Sequence, residues 1–281
     1  MRIRNLVWVI VSATICAHVG ACLADTAAPL PAPLVALENG SAMDNDAPPA
    51  QQTTVQSDLS AKLHGGLRLE SIQTEGLRDG TQAGLAWRYG QIEALLNAQS
   101  LQLDQVYDFS KVMINSYVLP PVISVVHNVL RQDDDNTARV TRVGYRIEYP
   151  ARIVTVPPQW RSFLIKSFQP PQPPSQVILP HNATEQKIWK AAVAKGWARG
   201  VMQADAVFSG SLSLLTSTYT GMLKYKELLR EGIVTEPVTA RTDLGVMIDG
   251  HELNVGDTLF RLTKNSRFQP VNRWQPKLQK D

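Results

Sequence analysis

Beyond residue 22 the sequence has no cysteine: only Cys16 and Cys22, among 281 residues, carry a thiol. A disulfide-stapled domain and a zinc site with thiolate ligands are thereby excluded from the body of the chain. Charge is scarce too, at 19% Asp, Glu, Lys and Arg, below the roughly 25% of ordinary globular chains. The apolar fraction of 44% is ordinary, so wholesale disorder is excluded. A formal charge of +3 gives no general pull on nucleic acid. No hydrophobic run reaches the roughly 20 residues that a membrane-crossing helix needs. The length allows one large domain or two small ones.

Catalytic constellations are missing as well. His18 lies in the apolar N-terminal segment, and His64, His127, His181 and His251 stand far apart, without the spacing of a metal site. No nucleophile elbow, phosphate-binding loop or dinucleotide fingerprint occurs. Asp133, Asp134 and Asp135 lack the glycine and terminal glutamate of a calcium loop and read as a solvated turn. Glu70, Glu75 and Glu93 supply the carboxylates a wall-cleaving glycosidase would need, yet no pattern singles them out. The expectation is a protein without catalytic residues, metal or cofactor.

What the N-terminus does contain is specific. Arg2 and Arg4 precede an apolar run over residues 6–17, followed by Val19-Gly20-Ala21-Cys22. A basic start, a short apolar stretch and small residues before a cut make an export signal. The order aliphatic, small, small, Cys fits a bacterial lipobox, with cleavage between Ala21 and Cys22 and diacylglycerol on the Cys22 thiol. Cys16, preceded by Ile15, fits that order worse. Two acyl chains anchor a protein stably without a spanning helix. Leu23, not Asp, follows the cysteine, which directs the lipoprotein to the outer membrane by default, on its periplasmic face. Removing residues 1–21 takes away Arg2 and Arg4 and no acidic residue, so the mature chain is nearly neutral.

Along the chain, the expected organisation is a signal over 1–21, a lipidated cysteine with a flexible Pro-, Ala- and Gln-rich tether over 22–57, one α+β domain over 58–263, and a basic C-terminal tail over 264–281. The tail is expected to be mobile or ordered by a partner. Residues 67–98 favour helix, with Gly76, Gly80 and Gly84 at i, i+4 and i+8. Either that stripe lets a second backbone approach, or the glycines break the element in two. Residues 122–130 read as a strand, then a polar turn, then a strand in which Val143, Tyr145, Ile147 and Tyr149 alternate with polar residues, the pattern of a half-buried strand. A short helix follows Trp160, and prolines 170, 171, 173 and 174 make an extended connector.

Asn182 with Glu185 then caps a proline-free stretch of about 45 residues. Apolar residues recur there every three or four positions from Trp189 through Trp197 to Met222, one continuous helical stripe. Such a helix would be roughly 70 Å long, enough to project or to serve as an assembly surface as well as to form core. Gly196 and Gly200 make a GxxxG pair, weak as a signal outside a membrane. Leu244, Val246 and Ile248 alternate before a turn at Asp249-Gly250, and Gly256-Asp257 reads as a further turn. The fold class is therefore α+β, long helices with antiparallel hairpins. Gly76, Gly80, Gly84, Trp87, Trp189 and Trp197 are the candidate packing or interface residues.

Several strings carry a family likeness: Gly84-Leu85-Ala86-Trp87-Arg88, Leu103-Asp104-Gln105-Val106-Tyr107-Asp108-Phe109, Val118-Leu119-Pro120-Pro121-Val122-Ile123, Val156-Pro157-Pro158-Gln159-Trp160-Arg161, Ile188-Trp189 through Gly196-Trp197, and Thr242-Asp243-Leu244-Gly245-Val246. In that order they resemble the DotC lipoproteins of type IVB (Dot/Icm) secretion and, equally, their conjugation relative TraI of IncI-type systems. The resemblance implies an outer-membrane lipoprotein that works with a DotD-like lipoprotein to bring a DotH-like channel subunit to the membrane. It also implies a ring containing copies of the chain itself, and no direct contact with nucleic acid. A lipoprotein that binds or cleaves peptidoglycan is the alternative.

Overall fold

The computed structural model describes residues 31–39, 56–174 and 178–274. Ala21, Cys22 and the signal segment lie outside these residues. The element order is α1 (Ala32–Glu38), α2 (Gln56–Ala98), α3 (Ser100–Val106), a 3-10 turn (Phe109–Val112), β1 (Val118–Leu119), β2 (Val122–Asp134), β3 (Thr137–Tyr149), β4 (Arg152–Ile153), α4 (Trp160–Leu164), α5 (Ala183–Arg230), β5 (Val238–Asp249) and β6 (Glu252–Lys264). The fold is mixed, long helices with antiparallel hairpins, as the sequence indicates. The chain divides into two compact units, residues 1–100 with 164–211, and residues 101–163 with 212–281.

The first unit is built on α2 and the N-terminal part of α5. Helix α5 starts where Asn182 accepts a hydrogen bond from the Glu185 N–H through Oδ1 at 2.8 Å, satisfying one of the orphan donors of a helix start. The core gathers Ile72 and Ala83 from α2, and Trp189, Val193 and Trp197 from α5. Leu34 joins them from α1, which corrects the reading of 22–57 as tether throughout. Pro33 in the first turn presets the helical φ of so short an element. Leu34 and Leu37, one helical turn apart, are too few to show as a period. The glycine stripe does not break α2. It runs continuously, and α5 lies against it.

The second unit packs the other end of α5 against the roots of the strands. Leu215, Tyr219, Met222, Tyr225 and Leu228 are all buried. Ile123, Tyr225, Leu228 and Val234 form one cluster. The helix stops in a double hydrogen bond, Gly232 N–H to Leu229 O at 3.1 Å and Ile233 N–H to Leu228 O at 2.9 Å. Gly232 takes a φ of +69° there, a conformation open to glycine at little cost. Residues 265–269, expected in a loose tail, instead pair back: Gln269 N–H donates to Ile233 O at 2.8 Å and Thr235 N–H to Arg267 O at 2.9 Å.

Among the described residues three separate two-stranded antiparallel sheets occur, β1 with β4, β2 with β3 and β5 with β6. Two differ from expectation. Gly256-Asp257 is no turn: β6 runs through it, with register shifts at Gly245 and Gly256, both at positive φ. One extra residue on each strand makes compensating bulges, so the hairpin keeps its register beyond them. Strand β3 is also not half-buried. Val143 and Tyr149 stand 48% and 56% exposed, because only the root of the hairpin, Val122 and Ile123 with the half-buried Ile147 across from them, reaches the core. The period-2 pattern identified the strand, but not what covers its apolar face.

Glycine placement gives a stability test. A Cβ at Gly80 would stand 2.3 Å from Val193 O, and at Gly84 2.5 Å from Trp197 O, whereas Gly90 and Gly210 meet nothing within 4 Å. Gly80→Ala and Gly84→Ala should each cost about 1–3 kcal/mol by overpacking. Gly90→Ala and Gly210→Ala should gain about 0.5–1 kcal/mol from helix propensity. Urea-unfolding midpoints check the opposite signs; a gain at Gly84 would contradict the close approach.

Candidate assembly surfaces

The six candidate residues of the sequence come together in one seam of the first unit. Gly80 and Gly84 of α2 face the backbone of Val193 and Trp197, and reciprocally Gly196 and Gly200 of α5 face Leu77 and Thr81 of α2. At Gly200 a Cβ would lie 2.1 Å from Thr81 O. Gly76 rests on the Trp189 ring, and Trp87 packs on Trp197 with centroids 5.3 Å apart. Trp189 donates its indole N–H to Leu37 O at 2.9 Å. Two ion pairs set the register: Arg68 Nε to Glu185 Oε1 at 3.0 Å and Arg88 Nε to Asp205 Oδ1 at 2.8 Å. The seam is interior, so these residues act as packing. The weak GxxxG pair was the signal that α5 answers the α2 stripe.

One buried charge stands out within α2. The Asp79 side chain is fully buried, with Oδ1 held by Arg78 Nη2 at 3.3 Å and Oδ2 without a hydrogen-bond partner. Burial first, and then the Glu75 carboxylate, raise its proton affinity above that of an ordinary carboxyl. Glu185 is the opposite case. Hydrogen bonding from Arg68 holds it below the usual range despite its partial burial.

In the second unit, a motif missed as a unit in the sequence joins α3 to α4. Asp104 Oδ1 accepts from Trp160 Nε1 at 2.6 Å and from Arg161 Nη1 at 2.7 Å, while the Arg161 guanidinium lies over the Trp160 ring. Those bonds, Arg161's first, hold the Asp104 carboxyl below its ordinary range. Tyr107 shares a hydrogen bond with Thr216 at 3.0 Å and meets Tyr219 edge-on. The latch thus ties α3 to α4, and Tyr107 just beyond α3 ties the pair to the distal part of α5.

The polar residues weighed for chemistry are not assembled. Glu70, Glu75 and Glu93 are spread along α2. Asp133 pairs with Arg139 at 3.1 Å and Asp134 accepts from Asn136 N–H at 2.8 Å, closing the β2–β3 turn. His127 lies in β2, His181 precedes α5, and His251 sits in the β5–β6 turn. Among the described residues no three potential metal ligands cluster, and no helix is long and apolar enough to cross a membrane.

What the second unit does present is apolar hairpin surface. In β5–β6 the cross-strand pairs Val246 with Val255 and Ile248 with Leu253 are 59–75% exposed. In β2–β3 the pair Leu130 with Val140 is 67% and 64% exposed. Two-stranded hairpins are marginal alone in water, and contiguous apolar exposure marks an interaction site. Residues 66–276 match the family described as type IV secretory system, conjugal DNA-protein transfer. The chain belongs to this family. The match covers both units and agrees with the conjugation relative in the sequence resemblance. No curated protein matches the chain.

Asp79 gives a signed pH prediction. A raised folded-state pKa means its contribution is favourable below the unfolded value and is lost as pH rises through the folded one. Asp79→Asn should therefore raise the melting temperature at neutral pH by a few degrees, on the scale of about 1 kcal/mol. The gain should shrink on acidification. Melting curves at neutral and acidic pH check it, and an equal gain at both would contradict the assignment.

Proposed function

We propose that the chain is a non-enzymatic scaffold of a type IVB secretion or conjugation apparatus, fixed by diacylglycerol on Cys22 to the periplasmic face of the outer membrane. Its partners are a DotD-like lipoprotein and a DotH-like channel subunit, which it helps to localise and assemble. The observation that carries this reading is apolar hairpin surface left uncovered in a member of a conjugal-transfer family. The lipobox order Val19-Gly20-Ala21-Cys22 supports the anchor. Anchoring many copies on one membrane raises the local concentration of binding sites, so modest interfaces assemble through multivalency. The family's transfer of DNA and protein needs no chemistry from this subunit on such a reading.

Replacing the lipidated thiol tests the reading. Cys22→Ser should leave the circular dichroism and melting curve unchanged, release the chain from the membrane fraction, and abolish delivery of the channel subunit to the outer membrane. Fractionation of cells carrying the secretion genes reads both. Correct placement of the channel subunit in the Cys22→Ser strain would refute the mechanism.

A further inference from the structure

Helix α1 limits how far the first unit can stand from a lipid on Cys22. Its C-terminal end is bonded to α5: Gln186 Nε2 donates to Glu38 O at 2.8 Å, Trp189 Nε1 to Leu37 O at 2.9 Å and Lys190 Nζ to Asn39 Oδ1 at 3.3 Å. Leu34 is buried in one cluster with Val193 and Trp197. Pro31, the N-cap of α1, stands nine positions after Cys22. Nine residues reach at most roughly 30 Å at full extension. With diacylglycerol on Cys22, α1 and the stretch of α5 beneath it are leashed close to the headgroups.

That stretch of α5 carries one sign of charge. Residues 186–204 contain Lys187, Lys190, Lys195 and Arg199 and neither Asp nor Glu. All four are exposed, as are Ala191, Ala194, Ala198 and Met202. By the helical repeat, Lys187, the three alanines and Met202 run along the middle of the solvent side, with Lys190 on one border and Lys195 and Arg199 on the other. Of the carboxylates nearby, Glu185 is held by Arg68, Glu75 by Arg78 and Asp205 by Arg88, and Asp79 is buried. Among the described residues Glu38 on α1 and Glu70, which lines the groove beside Lys195, are left at the two edges.

We propose that this face of α5 rests on the anionic phospholipid headgroups of the membrane that holds the Cys22 lipid. Each Lys or Arg near an anionic surface strengthens binding about fivefold. The alanines let the helix lie close to the surface, while the long cationic side chains reach sideways to phosphates. Met202, 63% exposed, is the one large apolar group offered to the acyl boundary. Such a face binds weakly alone, because its attraction decays within about 8 Å at physiological salt. The nine-residue leash offsets this by keeping the face at high local concentration over the membrane. The lipid then anchors, and the cations orient the first unit with α5 against the headgroups. The inference rests on the reading of Cys22 as the anchor and names the surface that the anchored unit presents to the membrane.

Flotation of the full mature chain carrying Cys22→Ser reads the face without the lipid. At low salt it should bind vesicles of phosphatidylethanolamine and phosphatidylglycerol, not vesicles of phosphatidylcholine. It should come off at physiological salt, in line with release of this variant from cell membranes. Adding Lys187→Glu, Lys195→Glu and Arg199→Glu should weaken binding about tenfold or more and leave the circular dichroism unchanged. Arg131→Glu, Arg142→Glu and Arg146→Glu, an equal charge reversal on β2–β3, should leave binding intact. In the lipidated chain the Cys22 thiol is spent, so Ala198→Cys supplies a single free thiol for a fluorophore. On the same vesicles a spin-labelled headgroup lipid should quench that fluorophore, and the three α5 reversals should relieve the quenching.

No binding to the phosphatidylglycerol vesicles, equal loss with the β2–β3 reversals, or an unquenched label at position 198 would overturn the proposal. So would a face that ignores vesicles but holds a labelled single-stranded oligonucleotide and loses it with the α5 reversals, which assigns it to nucleic acid. A lipidated chain that stays on the membrane with its label unquenched removes the face contact and leaves the anchor standing. Vesicle binding by the Cys22→Ser chain, alongside correct delivery of the channel subunit in Cys22→Ser cells, removes the scaffold reading and leaves the face.

Discussion

The near contact of two helix backbones is the constraint on which the first unit rests. Side chains normally hold helices 8–10 Å apart; Gly80 and Gly84 on one helix and Gly196 and Gly200 on the other remove that spacer on both sides at once. Each glycine costs helix propensity, a cost offset by packing the Trp189 and Trp197 rings flush against α2. The reciprocal spacing also fixes the register, which brings Arg68 to Glu185 and Arg88 to Asp205. Helix α5 is continuous beyond this seam, and its residues from Leu215 to Leu228 form the floor on which the strand roots of the second unit pack. Gly221 serves there as Gly200 does in the seam, with Ile123 O only 3.0 Å from where a Cβ would stand.

Much of the architecture was legible because its signals are local. The Asn182 cap, the stripe from Trp189 to Met222 and the Asp249-Gly250 turn depend on spacing within one element. Whether Gly76, Gly80 and Gly84 broke or lined a helix depended on a partner more than 100 residues away, and only the answering pair Gly196 and Gly200 decides it. Burial of β3 was illegible for the same reason: alternation shows that Val143 and Tyr145 share a face, not that anything covers it. Helix α1 escaped because two leucines among prolines carry no period. The Asp104, Trp160 and Arg161 latch joins residues more than 50 positions apart, none unusual alone.

Function follows from the contrast between the two kinds of surface. Where the chain packs on itself it does so with glycine contacts, buried tryptophans and satisfied caps. The hairpins have none of this beyond their roots, and their exposed apolar pairs suit recognition rather than solvation. On the scaffold reading proposed above, the hairpins are the docking arms. Stiff arms with preset strands lose little conformational entropy on binding, which favours assembly over a disordered segment of equal area.

The division itself can be measured directly by amide hydrogen exchange, comparing the free full chain with the same chain in secretion complexes extracted from its host. The account predicts added protection in β2–β3 and β5–β6 on assembly, with exchange in the α2–α5 seam unchanged. Hairpin amides that exchange alike in both states, with protection appearing elsewhere, would contradict it.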